Sequence, residues 1–252
     1  MMRPAYALVA VLAAACAGPS GAASSPEPAP EPAQASTAES AATDDAKPNA
    51  AHSGHGHHMH HRFDDAEAWA KQFDDPRRDA WQKPDEVIAW IAPAADAVVA
   101  DIGAGTGYFA MRFATKVPRG KVIASDVEPD MVRYMTERAE REGVANLVAV
   151  QGTAEDPALP EGLDVVFVCD VYHHIADRTG FFGAVATKLA PGGRVVIVDF
   201  KKDAPADIPG PPPQMRIAMD TVVEELGAAG LELSRAERQL LPHQYVVELV
   251  AR

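Results

Sequence analysis

The chain has 252 residues, 47% of them hydrophobic, with 36 acidic against 23 basic side chains and a formal net charge of -13. From Arg62 onward there are 31 acidic and 21 basic residues, a balance that repels phosphate backbones and argues against a nucleic-acid partner. Length and apolar content suffice for one domain with a sizeable core.

In chain order, Met1 to Cys16 combines Arg3, a short apolar run and small residues ahead of a cysteine. This is the pattern of an export signal (residues 1–16), too short to span a membrane as a mature helix. It resembles a bacterial lipoprotein signal, in which Cys16 becomes the lipidated N-terminus, although the favoured leucine stands one place early, at Leu12. A lipid-anchored protein and one cleaved without lipidation both stay open, and neither spans the bilayer.

Residues 17–61 follow as a linker. Gly18 to Ala51 is rich in Ala, Pro, Ser and Glu, with almost no branched apolar or aromatic side chains, so its composition predicts a disordered, partly extended chain. The linker ends in His52, His55, His57, His58, His60 and His61, six histidines in ten residues. Neutral imidazole is a ligand for divalent zinc, copper or nickel, and a flexible chain can wrap several around one ion. A soluble spacer that binds metal only incidentally and an expression tag are the alternatives. Interruption by Ser53, Gly54, Gly56 and Met59 argues against the tag. Metal affinity would fall as pH drops through the imidazole pKa of roughly 6.5.

The folded domain is expected over residues 62–252. It opens on Phe63, Trp69, Phe73 and Trp81 set among many charges, with Asp74-Asp-Pro-Arg-Arg78 between them. Trp69 and Phe73 lie one helical turn apart. Two readings stand side by side: a helix whose aromatics cap the core, and a segment that folds over a bound cofactor. Pro84 followed by Asp85 and Glu86 marks a helix start.

Val98-Val-Ala-Asp-Ile-Gly-Ala-Gly-Thr-Gly-Tyr-Phe-Ala110 joins a buried strand, a carboxylate and a three-glycine turn to the start of a helix. Val98, Val99 and Ile102 read as a central parallel strand, and Gly103, Gly105 and Gly107 let the backbone turn tightly beneath a ligand. A dinucleotide fingerprint needs a small residue three places after its second glycine, and Tyr108 stands there. The spacing Asp101-x-Gly103-x-Gly105-x-Gly107 instead resembles motif I of class I S-adenosylmethionine (SAM) methyltransferases. About twenty residues on, Lys121-Val-Ile-Ala-Ser-Asp126 ends a second apolar run in an acid, at the interval where a carboxylate reaches a ribose hydroxyl. The plainer role for Asp126 is to cap the helix that Glu128-Pro129-Asp130 opens.

Further elements continue the resemblance. Gln151-Gly-Thr-Ala-Glu155 stands where such proteins often have Gly-Asp-Ala-Glu. Leu163 to Asp170 reads as a fourth strand, followed by Val171-Tyr-His-His-Ile175, and Leu189-Ala-Pro-Gly-Gly193 leads into a fifth at Arg194–Asp199. From about Trp81 onward the chain resembles the group that includes the ubiquinone/menaquinone-biosynthesis and arsenite methyltransferases. The resemblance implies S-adenosyl-L-methionine contacts from Asp101, Gly103, Ala104, Gly105, Gly107, Tyr108, Asp126, Val127, Thr153, Ala154 and Asp170. Tyr108 would pack on the cofactor side, with its ring face as a second place for the sulfonium cation.

Alternating apolar runs and amphipathic helices give an α/β class: a Rossmann-like, seven-stranded, mostly parallel sheet with helices on both faces and an antiparallel C-terminal strand pair. Pro129 to Arg141 is expected as a helix with Met131, Val132, Met135 and Ala139 inward, and with Arg133–Glu137 and Glu137–Arg141 pairs outward. A second carries Phe182, Val185 and Leu189 and ends near Gly192. A third runs from Gln214 to Ala229, ahead of strands near Leu231–Arg235 and Tyr245–Val250.

The implied chemistry is in-line attack on a sulfonium methyl, for which the protein positions two reactants and excludes water. Where the acceptor carries a proton, His173 and His174 are the candidate catalytic bases, with Asp170 and Tyr172 beside them. The acceptor is expected to be a small organic molecule, and Ile208-Pro-Gly-Pro-Pro-Pro213 a wall of its pocket. Arsenite methylation, which in the related family uses several cysteines, is disfavoured by a domain whose one cysteine is Cys169. With Cys16 lipidated, Cys169 would have no disulfide partner. An export signal sits awkwardly with a cytoplasmic cofactor. Three readings follow, in order: an exported enzyme, an exported Rossmann-like binding module linked to metal through its histidines, and a cytoplasmic enzyme translated from Met59.

Overall fold

The computed structural model of the chain describes residues 65–252. The export signal, the linker, the six histidines of the run, Met59 and Phe63 lie outside the described residues. The strands are β1 (Val98–Ile102), β2 (Lys121–Asp126), β3 (Leu147–Gln151), β4 (Leu163–Cys169), β5 (Leu189–Phe200), β6 (Leu231–Glu237) and β7 (Gln244–Ala251). They form one sheet in the order β3-β2-β1-β4-β5-β7-β6, parallel from β3 through β5, with β7 antiparallel to both β5 and β6. This is the expected seven-stranded sheet with its C-terminal antiparallel pair.

The central strands are apolar along their length because both faces are covered. With side chains alternating along each strand, Val165, Phe167 and Cys169 enter one core cluster while Val166 and Val168 enter the other. Helices α3 (Pro84–Ile91), α4 (Ala110–Lys116) and α5 (Pro129–Glu142) supply the first cluster. In it, the Phe167 ring lies 4.8 Å from Phe109 and 5.1 Å from Phe113. Helices α6 (Arg178–Ala186) and α7 (Met219–Ala228) supply the second. Strand order reverses between β1 and β4, and at such a switch the carboxyl ends of the strands leave a crevice for a ligand.

Local signals hold where the chemistry is local. Pro84 stands at the first position of α3 with Asp85 and Glu86 in its first turn, and α5 ends on Gly143 at φ 69°. Met131, Met135 and Ala139 are buried on α5, Val132 is half-buried, and Arg133 bonds Glu137 at 2.9 Å. Arg141 lies 3.8 Å from Glu142, and no bond to Glu137 forms among the described residues.

Two boundaries differ from expectation. The helix carrying Phe182 and Val185 stops at Ala186, and Leu189 pairs with Leu163 in the sheet instead of extending it. Pro191, with no N–H to give, cannot continue a helix. The last helix begins at Met219, not Gln214, because Arg216 is fully buried and donates to the carbonyls of Ala204, Pro205 and Pro211. Those bonds hold residues 214–218 out of helical geometry.

Candidate functional site

The glycine turn is built onto the end of β2. Gly103 and Ala104 both donate to Ser125 O, at 2.8 and 3.0 Å, and Gly103, Gly105 and Gly107 take φ of 68°, 58° and 88°. A side chain at Gly103 would place its Cβ 2.4 Å from Val171, so only glycine lets these segments approach. Asp126 closes the turn from the neighbouring strand: its Oδ2 accepts from Gly105 N at 2.8 Å and its Oδ1 from Glu128 N at 3.0 Å. The Glu128 bond makes a local turn ahead of α5 and not the helix cap of the plainer reading. A carboxylate has about four acceptor positions, so Asp126 retains capacity for two hydroxyl donors. Burial, opposed by backbone donors and helped by the charge of Glu128, raises its pKa.

Around this turn the other expected contacts gather. Val127 is 51% exposed beside Asp126, an accessible apolar surface among the described residues. Gly152 N donates to Asp126 O at 2.9 Å and Ser125 Oγ to Pro157 O at 2.6 Å, which draws the exposed Thr153 and Ala154 alongside. The Thr153 hydroxyl accepts from Glu155 N and Asp156 N at 3.2 and 3.0 Å, leaving its own proton to donate outward. Thr106, between the second and third glycines, is buried with its Oγ1 unpartnered among the described residues. Positive-φ glycines, a spare hydroxyl, a carboxylate with open positions and a bare apolar wall fit a nucleoside bearing an amino-acid tail.

Asp101 departs from the simple picture of a carboxylate facing the ligand. Its side chain is buried beneath the turn, and burial, together with the charge of Asp126, pushes its pKa up to about 8 against the pull of Arg78 and the Ala110 N–H.

The N-terminal segment packs against the glycine turn. Helix α1 (Ala66–Phe73), a short 3-10 turn (Pro76–Arg78) and α2 (Asp79–Gln82) cross the carboxyl ends of the strands. Phe73 lies over Gly105, where a Cβ would meet its ring at 3.4 Å, and Trp69 stacks on Phe73 at 5.4 Å. Ala66 N donates to Asp130, and Arg138 joins Asp74 to Thr106 O. The segment roofs the glycine turn.

Tyr108 faces this roof. Arg78 and Arg112 place their guanidinium carbons 4.0 and 4.2 Å from its ring centroid. Its hydroxyl donates to Asp79. The ring is thus engaged by two cations of the protein itself.

A second polar cluster, in which Asp170, His173 and His174 are joined by Gln82, Gln244 and Asp199 that sequence reasoning missed, lies at the ends of β4, β5 and β7. Asp170, in a left-handed turn at φ 60°, accepts from Gln244 and from Gln82 at 3.1 Å, and Arg78 stands 3.5 Å away. Burial pushes its pKa up to about 6, with the Asp199 charge adding to it and Arg78 opposing. Gln82, fully buried, also donates to Gln244 at 2.9 Å. His173 turns its ring onto Asp199, with Nδ1 3.0 Å from both carboxylate oxygens, whereas His174 is exposed with its ring 4.2 Å from that of His173. The only signal for Gln82, Gln244 and Asp199 was a polar side chain bordering an apolar run. Cys169 is a buried thiol against Gln82. The 208–213 loop packs Gly210 against Phe200, and Phe200 lies 6.0 Å from Trp81. Among the described residues no group of His, Cys, Asp and Glu is arranged to hold a metal.

Known proteins resemble the chain in sequence and in fold. An uncharacterized methyltransferase of Mycobacterium bovis is 38% identical over 117 residues, covering 46% of this chain and 44% of that one. A ubiquinone/menaquinone biosynthesis C-methyltransferase of Pasteurella multocida is 32% identical over 107 residues, 41% of this chain and 40% of its own. The chain thus spans less than half the length of these curated relatives. A SAM-dependent methyltransferase from Aquifex aeolicus superimposes with a TM-score of 0.66 at 25% identity, over 72% of this chain and 96% of that structure. A family model described as a methyltransferase domain matches residues 94–228, more than half of the sequence, and the chain belongs to that family.

Proposed function

We propose that the domain transfers the methyl group of S-adenosyl-L-methionine to a small organic acceptor. The observation that carries this reading is Asp126, which ties the glycine turn through Gly105 while keeping acceptor positions open beside the exposed Val127. Asp126 would hold the ribose, Val127 and Ala154 the adenine faces, and the Thr153 hydroxyl an adenine nitrogen. Gly103, Ala104, Gly105 and Gly107 would pass beneath the amino-acid tail. When bound, the cofactor supplies an electrophilic methyl carbon. The roof of α1 and α2 would shield a cofactor held on the glycine turn from water, and the acidic surface disfavours phosphate-rich acceptors.

Isothermal titration of the purified chain with SAM and with its demethylated product tests the first half, and a methyl-transfer screen with labelled cofactor tests the second. Binding of neither nucleoside overturns the proposal, and binding without transfer to any small molecule reduces the domain to a binding module. The proposal includes export, with Cys16 as a lipid anchor and a divalent metal held by His52, His55, His57, His58, His60 and His61. Mass spectrometry of the native N-terminus distinguishes lipidated Cys16, simple cleavage and a start at Met59. Metal uptake unchanged on replacing all six histidines refutes the metal role.

A further inference from the structure

Sequence reasoning leaves His173 and His174 undecided, and the surroundings of the two rings separate them. The His173 side chain is only 3% exposed and that of Asp199 is fully buried. Asp199 grips the same residue twice, through Nδ1 at 3.0 Å and through the His173 backbone N–H at 3.3 Å, while its Oδ1 also accepts from Phe200 N at 2.7 Å. A carboxylate fixed at its own backbone and at its partner's leaves the ring little freedom to turn. It also selects the tautomer: the proton sits on Nδ1, facing Asp199, and the lone pair on Nε2. Among the described residues, no hydrogen-bond partner takes Nε2. His174, on the same turn, is exposed, whereas the His173 side chain is buried against Asp199.

We propose that Asp199 is a positioning residue that sets His173 as a general base, and that the acceptor therefore presents a nucleophile that must lose a proton, a weakly acidic O–H or C–H. The inference rests on the methyltransferase reading above. In the step, Nε2 takes the acceptor's proton while the acceptor's electron pair forms the bond to the methyl carbon. The pair of the breaking carbon–sulfur bond stays on sulfur, which becomes a neutral thioether. The resulting imidazolium is held by Asp199 until it passes its proton to water.

The charges that tune the ring are Asp199 from β5 and Asp170 after β4; Tyr245 from β7 and Cys169 lie within the field of Asp199, Arg78 from the roof stands beside Asp170, and the His174 ring lies 4.2 Å from that of His173. Burial works to lower the His173 pKa, but the Asp199 hydrogen bond and the Asp199 and Asp170 charges outweigh it and raise it.

The test uses the full chain, labelled SAM, and two probes: catechol, which must lose a proton, and thiophenol, already ionised at pH 8. Asp199→Asn is expected to slow catechol methylation by about 100-fold or more, the scale of general-base catalysis, with thiophenol turnover within about threefold. SAM affinity measured on the same sample stays within about twofold, which shows that the variant is folded and the cofactor site intact. The acidic limb of the catechol pH profile moves down, and the double variant with His173→Gln is no slower than either single one. Nitrogen-15 spectra should show His173 protonated on Nδ1 and its pKa falling in Asp199→Asn toward roughly 6.5. An Nε2–H tautomer, an undiminished catechol rate in Asp199→Asn, or wild-type protein that binds SAM yet leaves catechol untouched overturns the inference. Failure to bind SAM instead removes the reading beneath it.

Discussion

The carboxylate of Asp126 accepts a hydrogen bond from the backbone N–H of Gly105 at 2.8 Å, so the residue assigned to the ribose also fixes the shape of the turn beneath the cofactor. The two duties separate by substitution. Asp126→Asn keeps an acceptor for Gly105 and loses the charge, whereas Asp126→Ala loses both. Calorimetry should show SAM binding weakened by about 1–3 kcal/mol in the alanine variant, the scale of charged hydrogen bonds, and by less in the asparagine variant. Equal affinity in all three proteins would detach Asp126 from the cofactor.

Asp101 makes a prediction about pH and stability. Its folded-state pKa of about 8 lies above the ordinary carboxylate value of 3.8, so the folded chain binds a proton that the unfolded chain releases. The sign follows: this contribution is fully present below about pH 4 and is lost as pH rises toward and through about 8. Urea midpoints across pH 5 to 9 should fall for the wild type, with a shallower slope in Asp101→Asn. The same slope in both proteins would mean that Asp101 ionises normally.

Tyr108 joins the roof to the cofactor turn through two guanidinium faces and the bond to Asp79. Tyr108→Phe removes only the hydroxyl and should cost about 1 kcal/mol. Tyr108→Leu also removes both stacked cations, each worth about 0.5–2 kcal/mol, and should expose residues 65–83 to limited proteolysis with the β-sheet still intact. Cleavage unchanged in Tyr108→Leu would show that the other roof contacts suffice.

Arg216 is fully buried with carbonyl oxygens as its partners, and it anchors the loop after β5. Arg216→Met fills similar volume but leaves three carbonyls without a donor, and each unsatisfied group costs about 1–3 kcal/mol. Thermal denaturation should register the loss, and hydrogen exchange should rise across residues 204–218. A variant as stable as the wild type, with unchanged exchange, would mean that water replaces the guanidinium.

The sequence by itself determined what depends on near neighbours. The strand preceding Gly103, the three positive-φ glycines, the helix start at Pro84 and the helix end at Gly143 each follow from residues within a turn or two. The acid at the end of the second strand was legible for the same reason, since a fixed interval along the chain carries it to the glycine turn. Only the tertiary structure decided which polar side chains meet. Gln82 and Gln244 are separated by 162 positions and touch at 2.9 Å, and His173 finds Asp199 across 26. Tyr108 points toward the roof because two arginines from different segments arrive at its ring. Buried polar groups must satisfy one another wherever the fold happens to place them, and no local periodicity records that pairing.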